Sequence, residues 1–132
     1  MAKKLAIGFG VVFVLVGILG MLDTAIVGSA GIFMTNALHD IVHLLIGIVL
    51  IGVALMAPDA SATWLKIFGV VYLLLAVLGF LLIPNGGSLL GLVDMNTADH
   101  VLHIVLGVAL FLAGQMSGSK SMTSSPSMGG TM

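Results

Sequence analysis

Polar side chains are sparse along this chain, and their placement divides it. Four stretches run almost without charge: Leu5–Leu22, Ala37–Met56, Thr63–Ile83 and Ala98–Gly114. Each approaches or reaches the roughly 20 mainly apolar residues, with a range of about 17–25, that an α-helix needs to cross a hydrocarbon core. The breaks carry turn chemistry. Asp23 and Gly28–Gly31 follow the first stretch, Ala57-Pro58-Asp59-Ala60-Ser61 the second, and Pro84-Asn85-Gly86-Gly87 the third. Beyond Gly114 the Ser-, Met- and Gly-rich residues 115–132 show no apolar periodicity and read as a disordered tail. The pattern predicts an all-α, polytopic membrane protein with one four-helix transmembrane domain over residues 1–114.

Composition supports the same solvent. The chain is 60% hydrophobic and 7% charged, against about 45–50% and about 25% in an ordinary soluble domain. A chain of 132 residues cannot hide that much apolar surface from water, so its first partner is the lipid bilayer. A formal net charge of −1 speaks against nucleic acid, which selects a basic face. Cysteine is absent, which removes disulfides, iron–sulfur clusters and thiolate chemistry. Glu and Arg are absent too; the chain is not expected to be an enzyme.

Lys3, Lys4, Lys66 and Lys120 fall on one side of a four-span topology. The positive-inside rule makes that side cytoplasmic, with both termini, in a plasma membrane protein. Asp23, Asp94 and all four histidines then belong to the opposite face. Lys3-Lys4 ahead of an apolar run resembles a signal peptide, but the run exceeds the roughly 7–15 residues of a signal core, and the internal repeat argues that it stays.

That repeat pairs residues 9–56 with 68–114. F-G-V-V-F-V-L-V-G-I-L-G-M-L at 9–22 matches F-G-V-V-Y-L-L-L-A-V-L-G-F-L at 68–81. With a one-residue shift in the loop, Gly31, Asn36, His43 and Gly47 match Gly91, Asn96, His103 and Gly107. Each unit holds two spans, so both enter the membrane from the same side, as two parallel repeats about a pseudo-two-fold axis along the membrane normal. On this reading His43 and His103 are counterparts near that axis, and Gly47 and Gly107 let helix backbones approach closely.

The paired motifs N-A-L-H-D-I-V-H-L-L-I-G at 36–47 and N-T-A-D-H-V-L-H-I-V-L-G at 96–107 resemble those of a bacterial four-helix membrane family catalogued as a domain of unknown function. Its members show Asn-x-x-His-x-x-x-His-x-x-x-Gly in the first half and Asn-x-x-Asp-x-x-x-His in the second. The resemblance covers about Phe9 to Gly114, with His100 standing where Asn or another polar residue is expected. It implies fold and membrane location and brings no activity.

The ionisable residues of these motifs are the candidate chemistry. Asn36 and Asn96 suit helix N-caps, and Asp99 and Asp40 suit first turns, where a carboxylate gains about 0.3–1 kcal/mol from the helix dipole. His43 and His103 lie about seven residues past the caps, roughly 10 Å deep at 1.5 Å per residue, where a polar group must face the bundle interior or a wet cavity. His39 corresponds to Asp99 and Asp40 to His100; near a two-fold axis that exchange sets His opposite Asp at two levels.

Three functions fit. In the first the cluster is interhelical glue, with contacts of about 0.6 kcal/mol each, and the protein is a structural or accessory bundle, alone, as a homo-oligomer or within a larger membrane complex. In the second, His43 and His103 bind haem or a metal such as Zn²⁺, Cu²⁺ or non-haem iron, with His39, Asp99, His100 and Asp40 as further ligands. The third is a small proton or solute transporter component, against which stands the lack of a polar path through the inner half of the bundle, in segments such as Ile48–Met56 and Val105–Leu112.

Overall fold

The computed structural model describes the backbone of residues 1–124 and the side chains to Gly118. Four helices carry it: α1 (Ala2–Met21), α2 (Ala37–Met56), α3 (Ser61–Leu82) and α4 (Thr97–Ser124), with a 3-10 turn over Pro58–Ala60 leading into α3. All four are long and apolar enough to cross a membrane. Their outward faces bear exposed Leu, Ile, Val and Met along the whole length. Such a surface is unsustainable in water and ordinary in hydrocarbon, where apolar side chains lose nothing by exposure.

Each α1–α2 and α3–α4 pair forms a tightly packed hairpin, while α1 meets α3 and α4, and α2 meets α3, along shorter stretches. Glycine sets the closeness within the hairpins. A Cβ built on Gly10 would stand 2.9 Å from the carbonyl oxygen of Gly47, and one on Gly69 would stand 2.9 Å from that of Gly107. Gly47 and Gly107 therefore do bring backbones together, but inside each hairpin. The α2 and α4 backbones make far fewer close approaches than either makes with its own partner, and the gap between them is closed by side chains. Phe13, Leu50, Leu65, Tyr72 and Leu110 fill the centre of the bundle.

The two loops that join the helices within the hairpins, which sequence periodicity leaves without structure, each fold back over the bundle. In the first, β1 (Val27–Gly28) pairs with β2 (Phe33–Met34) in parallel; in the second, β3 (Gly87–Leu89) pairs antiparallel with β4 (Val93–Met95), in the register Ser88 opposite Asp94. The tip of the second hairpin turns through Leu90 at φ 55° and Gly91 at φ 71°, and Leu92 N–H closes it on the Leu89 carbonyl at 3.0 Å.

The fourth helix corrects one expectation. Residues 115–124 continue α4 instead of starting a disordered tail. The apolar span has already paid the nucleation entropy, and Gly114 and Gly118 still pack on the start of α3, where a Cβ on Gly114 would stand 2.5 Å from the Ala62 carbonyl oxygen and one on Gly118 3.9 Å from the Ala62 Cβ. The rest of that tail, residues 125–132, lies outside the described residues.

Candidate metal centre

The start of α2 is set by Asn36, whose side-chain oxygen accepts the His39 N–H at 3.0 Å. Asn96 does the same for α4, accepting the Asp99 N–H at 3.0 Å. Asp99 answers by accepting the Asn96 N–H at 2.8 Å, a reciprocal cap in which a carboxylate three residues in satisfies the capping residue's own donor. The equivalent first-half residue is His39, which cannot accept in that way. Its ring instead turns inward, and its Nδ1–H donates to the Asp94 carbonyl on β4 at 2.8 Å. That bond leaves Nε2 with its lone pair.

His43 follows one turn deeper on the same face of α2, its ring centroid 4.7 Å from that of His39. His103 comes in from α4, 6.0 Å from His39 and 6.4 Å from His43. One ring nitrogen from each of the three lies within 4.8 Å of the other two, and all three residues are buried. The Nδ1 atoms of His43 and His103 have no hydrogen-bond partner. Together the rings line a cavity of about 200 Å³, walled otherwise by apolar side chains such as Val42, Ile46, Leu75 and Met95.

Tyr72, a residue that neither motif contains, completes the cavity. Its ring stacks on Phe13 at 5.3 Å and meets His103 edge-on at 5.1 Å, while its buried hydroxyl has no partner. A signal existed: Tyr72 is the only tyrosine of the chain, and it replaces the repeat-equivalent Phe13. Leu89, Val93 and Met95, from the loop joining α3 and α4, also line the cavity and carry no local pattern that would announce it.

Six residues were expected at this centre, and the structure brings together three of them, His39, His43 and His103. Asp99 is held at its helix cap. Asp40 and His100 leave the cluster altogether. The Asp40 carboxylate rests against Gly20 of α1 and the His100 ring against Gly79 of α3, each in the space a Cβ would fill. His100 Nε2–H donates to the Ile83 carbonyl at 2.9 Å. The expected pairing of His opposite Asp at two levels makes no His–Asp side-chain hydrogen bond among the described residues, although His39 stands near Asp99 at one level. One residue of helix advances the side chain by about 100°, as 3.6 residues make a turn, so neighbours such as His39 and Asp40 face different partners.

Fold and site together define a polytopic helical membrane protein with a buried histidine cluster near one end. The chain belongs to the family described as domain of unknown function DUF4383, whose model matches residues 3–116. No curated protein and no solved structure matches it.

Proposed function

We propose that this protein is a metal-binding membrane bundle, with one ion held by His39, His43 and His103. The observation that carries the reading is the convergence of three buried ring nitrogens within 4.8 Å of one another. Nitrogens bound tetrahedrally at 2.0–2.1 Å stand roughly 3.3 Å apart, so ring movements of about an ångström close the site. Purely structural histidines would satisfy themselves by bonding across helices, since an unpaired buried donor or acceptor costs about 1–3 kcal/mol. His43 and His103 leave Nδ1 without such a partner, whereas His39 has the outer-sphere carbonyl bond that fixes tautomer and ring orientation in metal sites.

Three imidazoles without thiolate favour Zn²⁺, Cu²⁺ or non-haem iron. Haem fits less well: the cavity of about 200 Å³ is smaller than the roughly 300–1,000 Å³ that ordinary organic ligands occupy. Three protein ligands would leave one position of a tetrahedral ion open, in a cavity that Tyr72 also lines. We assign binding and no catalysis, and we place the cluster on the extracytoplasmic side of the plasma membrane, with the lysine-bearing helix ends inside.

The test is metal titration of detergent-purified protein with Zn²⁺, Cu²⁺ and Fe²⁺ beside elemental analysis. One ion per chain is expected, lost in His43→Ala and in His103→Ala. Folded wild-type protein that takes up none of the three would overturn the reading.

A further inference from the structure

Asp40, set aside by the histidine cluster, borders a second cavity of about 280 Å³ on the other side of α2, lined by Gly20, Asp23, Ser29, Thr35, Asn36 and Asp40 among others. Asp40 and Thr35 are each only 3% exposed. Neither the Asp40 Oδ1 nor the Thr35 hydroxyl has a hydrogen-bond partner. A buried carboxylate whose hydroxyl neighbour is Thr35 and whose Oδ1 bonds to nothing is costly to a fold. Among the described residues no lysine is at hand, because Lys3, Lys4 and Lys66 stand at the opposite helix ends; the nearby group that can carry positive charge is His39. The N-terminus of α2 supplies about half a positive charge, against two carboxylates.

The second carboxylate is built in. Asp23 takes the left-handed conformation, φ 54°, and its Oδ1 accepts the Ser29 N–H at 2.6 Å and the Ser29 hydroxyl at 3.0 Å. These bonds hold its carboxyl below the ordinary value of 3.8, so it is ionised at neutral pH. Gly28 must lack a side chain for the loop to close this way, since a Cβ there would stand 2.5 Å from Asp23 Oδ1.

We infer that this cavity is a second cation site, taking a hard divalent ion, Ca²⁺, on the oxygens of Asp40, Asp23 and Thr35. The donor set is oxygen only, which selects Ca²⁺ or Mg²⁺ over the metals that imidazole prefers. Ca²⁺ accepts six to eight ligands in flexible geometry, with waters completing the shell, and the cavity has room for several. Two carboxylates balance a divalent charge. The site shares no ligand with the histidine cluster and stands or falls apart from it.

Equilibrium binding of ⁴⁵Ca²⁺ to the full-length protein in detergent tests it. One saturable Ca²⁺ per chain is expected, with half-saturation at roughly 10⁻⁴–10⁻³ M, the range of extracellular Ca²⁺ modules. Affinity falls at least tenfold in Asp40→Asn and severalfold in Asp23→Asn, an exposed loop change that leaves the bundle packing untouched, and it is unchanged in His43→Ala. Absence of saturable binding in the wild type overturns the inference, and so does binding that survives Asp23→Asn undiminished or disappears in His43→Ala.

Discussion

Asn36 and Asn96 tie the two hairpins together with the same bond made in both directions. Asn36 Nδ2–H donates to the Leu92 carbonyl at 3.0 Å, and Asn96 Nδ2–H donates to the Ile32 carbonyl at 2.8 Å. Each amide thus caps its own helix through oxygen and straps the other half's loop through nitrogen. The histidine cluster lies directly beneath, so these two residues set the approach of α2 and α4 where the backbones themselves scarcely touch.

Replacing either asparagine by alanine therefore removes a cap, worth about 1 kcal/mol, and a cross-loop bond, worth about 0.5–1.5 kcal/mol. Unfolding in mixed micelles should show each single variant destabilised by roughly the sum of the two. A loss confined to the cap value would mean that the straps contribute nothing.

Glycines in the hairpin seams should separate cleanly from those facing lipid. Gly47→Ala and Gly107→Ala force a methyl against backbone, since a Cβ at Gly47 would meet the Gly10 carbonyl oxygen at 2.6 Å and one at Gly107 the Gly69 carbonyl oxygen at 3.0 Å. Overpacking of this kind costs about 1–3 kcal/mol. Gly52 has nothing within 4 Å of its Cβ position, and Gly52→Ala should be neutral or stabilising by up to about 1 kcal/mol through helix propensity. Thermal unfolding of the three variants side by side is the measurement.

Tyr72→Phe deletes a buried hydroxyl that bonds to nothing. In metal-free protein it should raise stability by about 1 kcal/mol, the lower end of what an unsatisfied buried group costs. Loaded with Zn²⁺, the same variant should lose that gain, because an ion in the cavity would give the phenol a partner that phenylalanine cannot use. Chemical denaturation with and without the ion distinguishes the two states.

Asp23 predicts an acid limb. Its carboxyl is held below 3.8 by the Ser29 bonds, so it takes up a proton less readily folded than unfolded. The stability it contributes is complete above the ordinary value and disappears as pH falls through the lowered folded value. Ser29→Ala removes the hydroxyl bond but keeps the stronger backbone N–H bond, so it should move the Asp23 titration, followed by carboxyl NMR, only part of the way back towards 3.8. An unmoved titration would show that the serine hydroxyl contributes nothing to the lowering.

The centre was only half legible in advance. His43 and His103 stood out because an ionisable group that deep in an apolar run must face inward. His39 and Asp40 are adjacent, and nothing local says which of them joins the cluster. That choice follows from which face of α2 the other hairpin covers, and from a β4 carbonyl that sequence does not place. The missing reciprocal cap at His39 is intelligible only once Asp99 is seen making one.

Four spans, their approximate limits and the membrane as solvent came from the order of residues alone, because hydrophobic length is a local property that lipid reads directly. Ala37–Met56 was delimited to the residue. What folding in three dimensions decided was the convergence of His39, His43 and His103, the desertion of Asp40 and His100, the entry of Tyr72, and the folded hairpin loops. Those depend on helix rotation and on contacts between residues some 60 positions apart, such as the 64 that separate Ile32 from Asn96, and no local pattern encodes them.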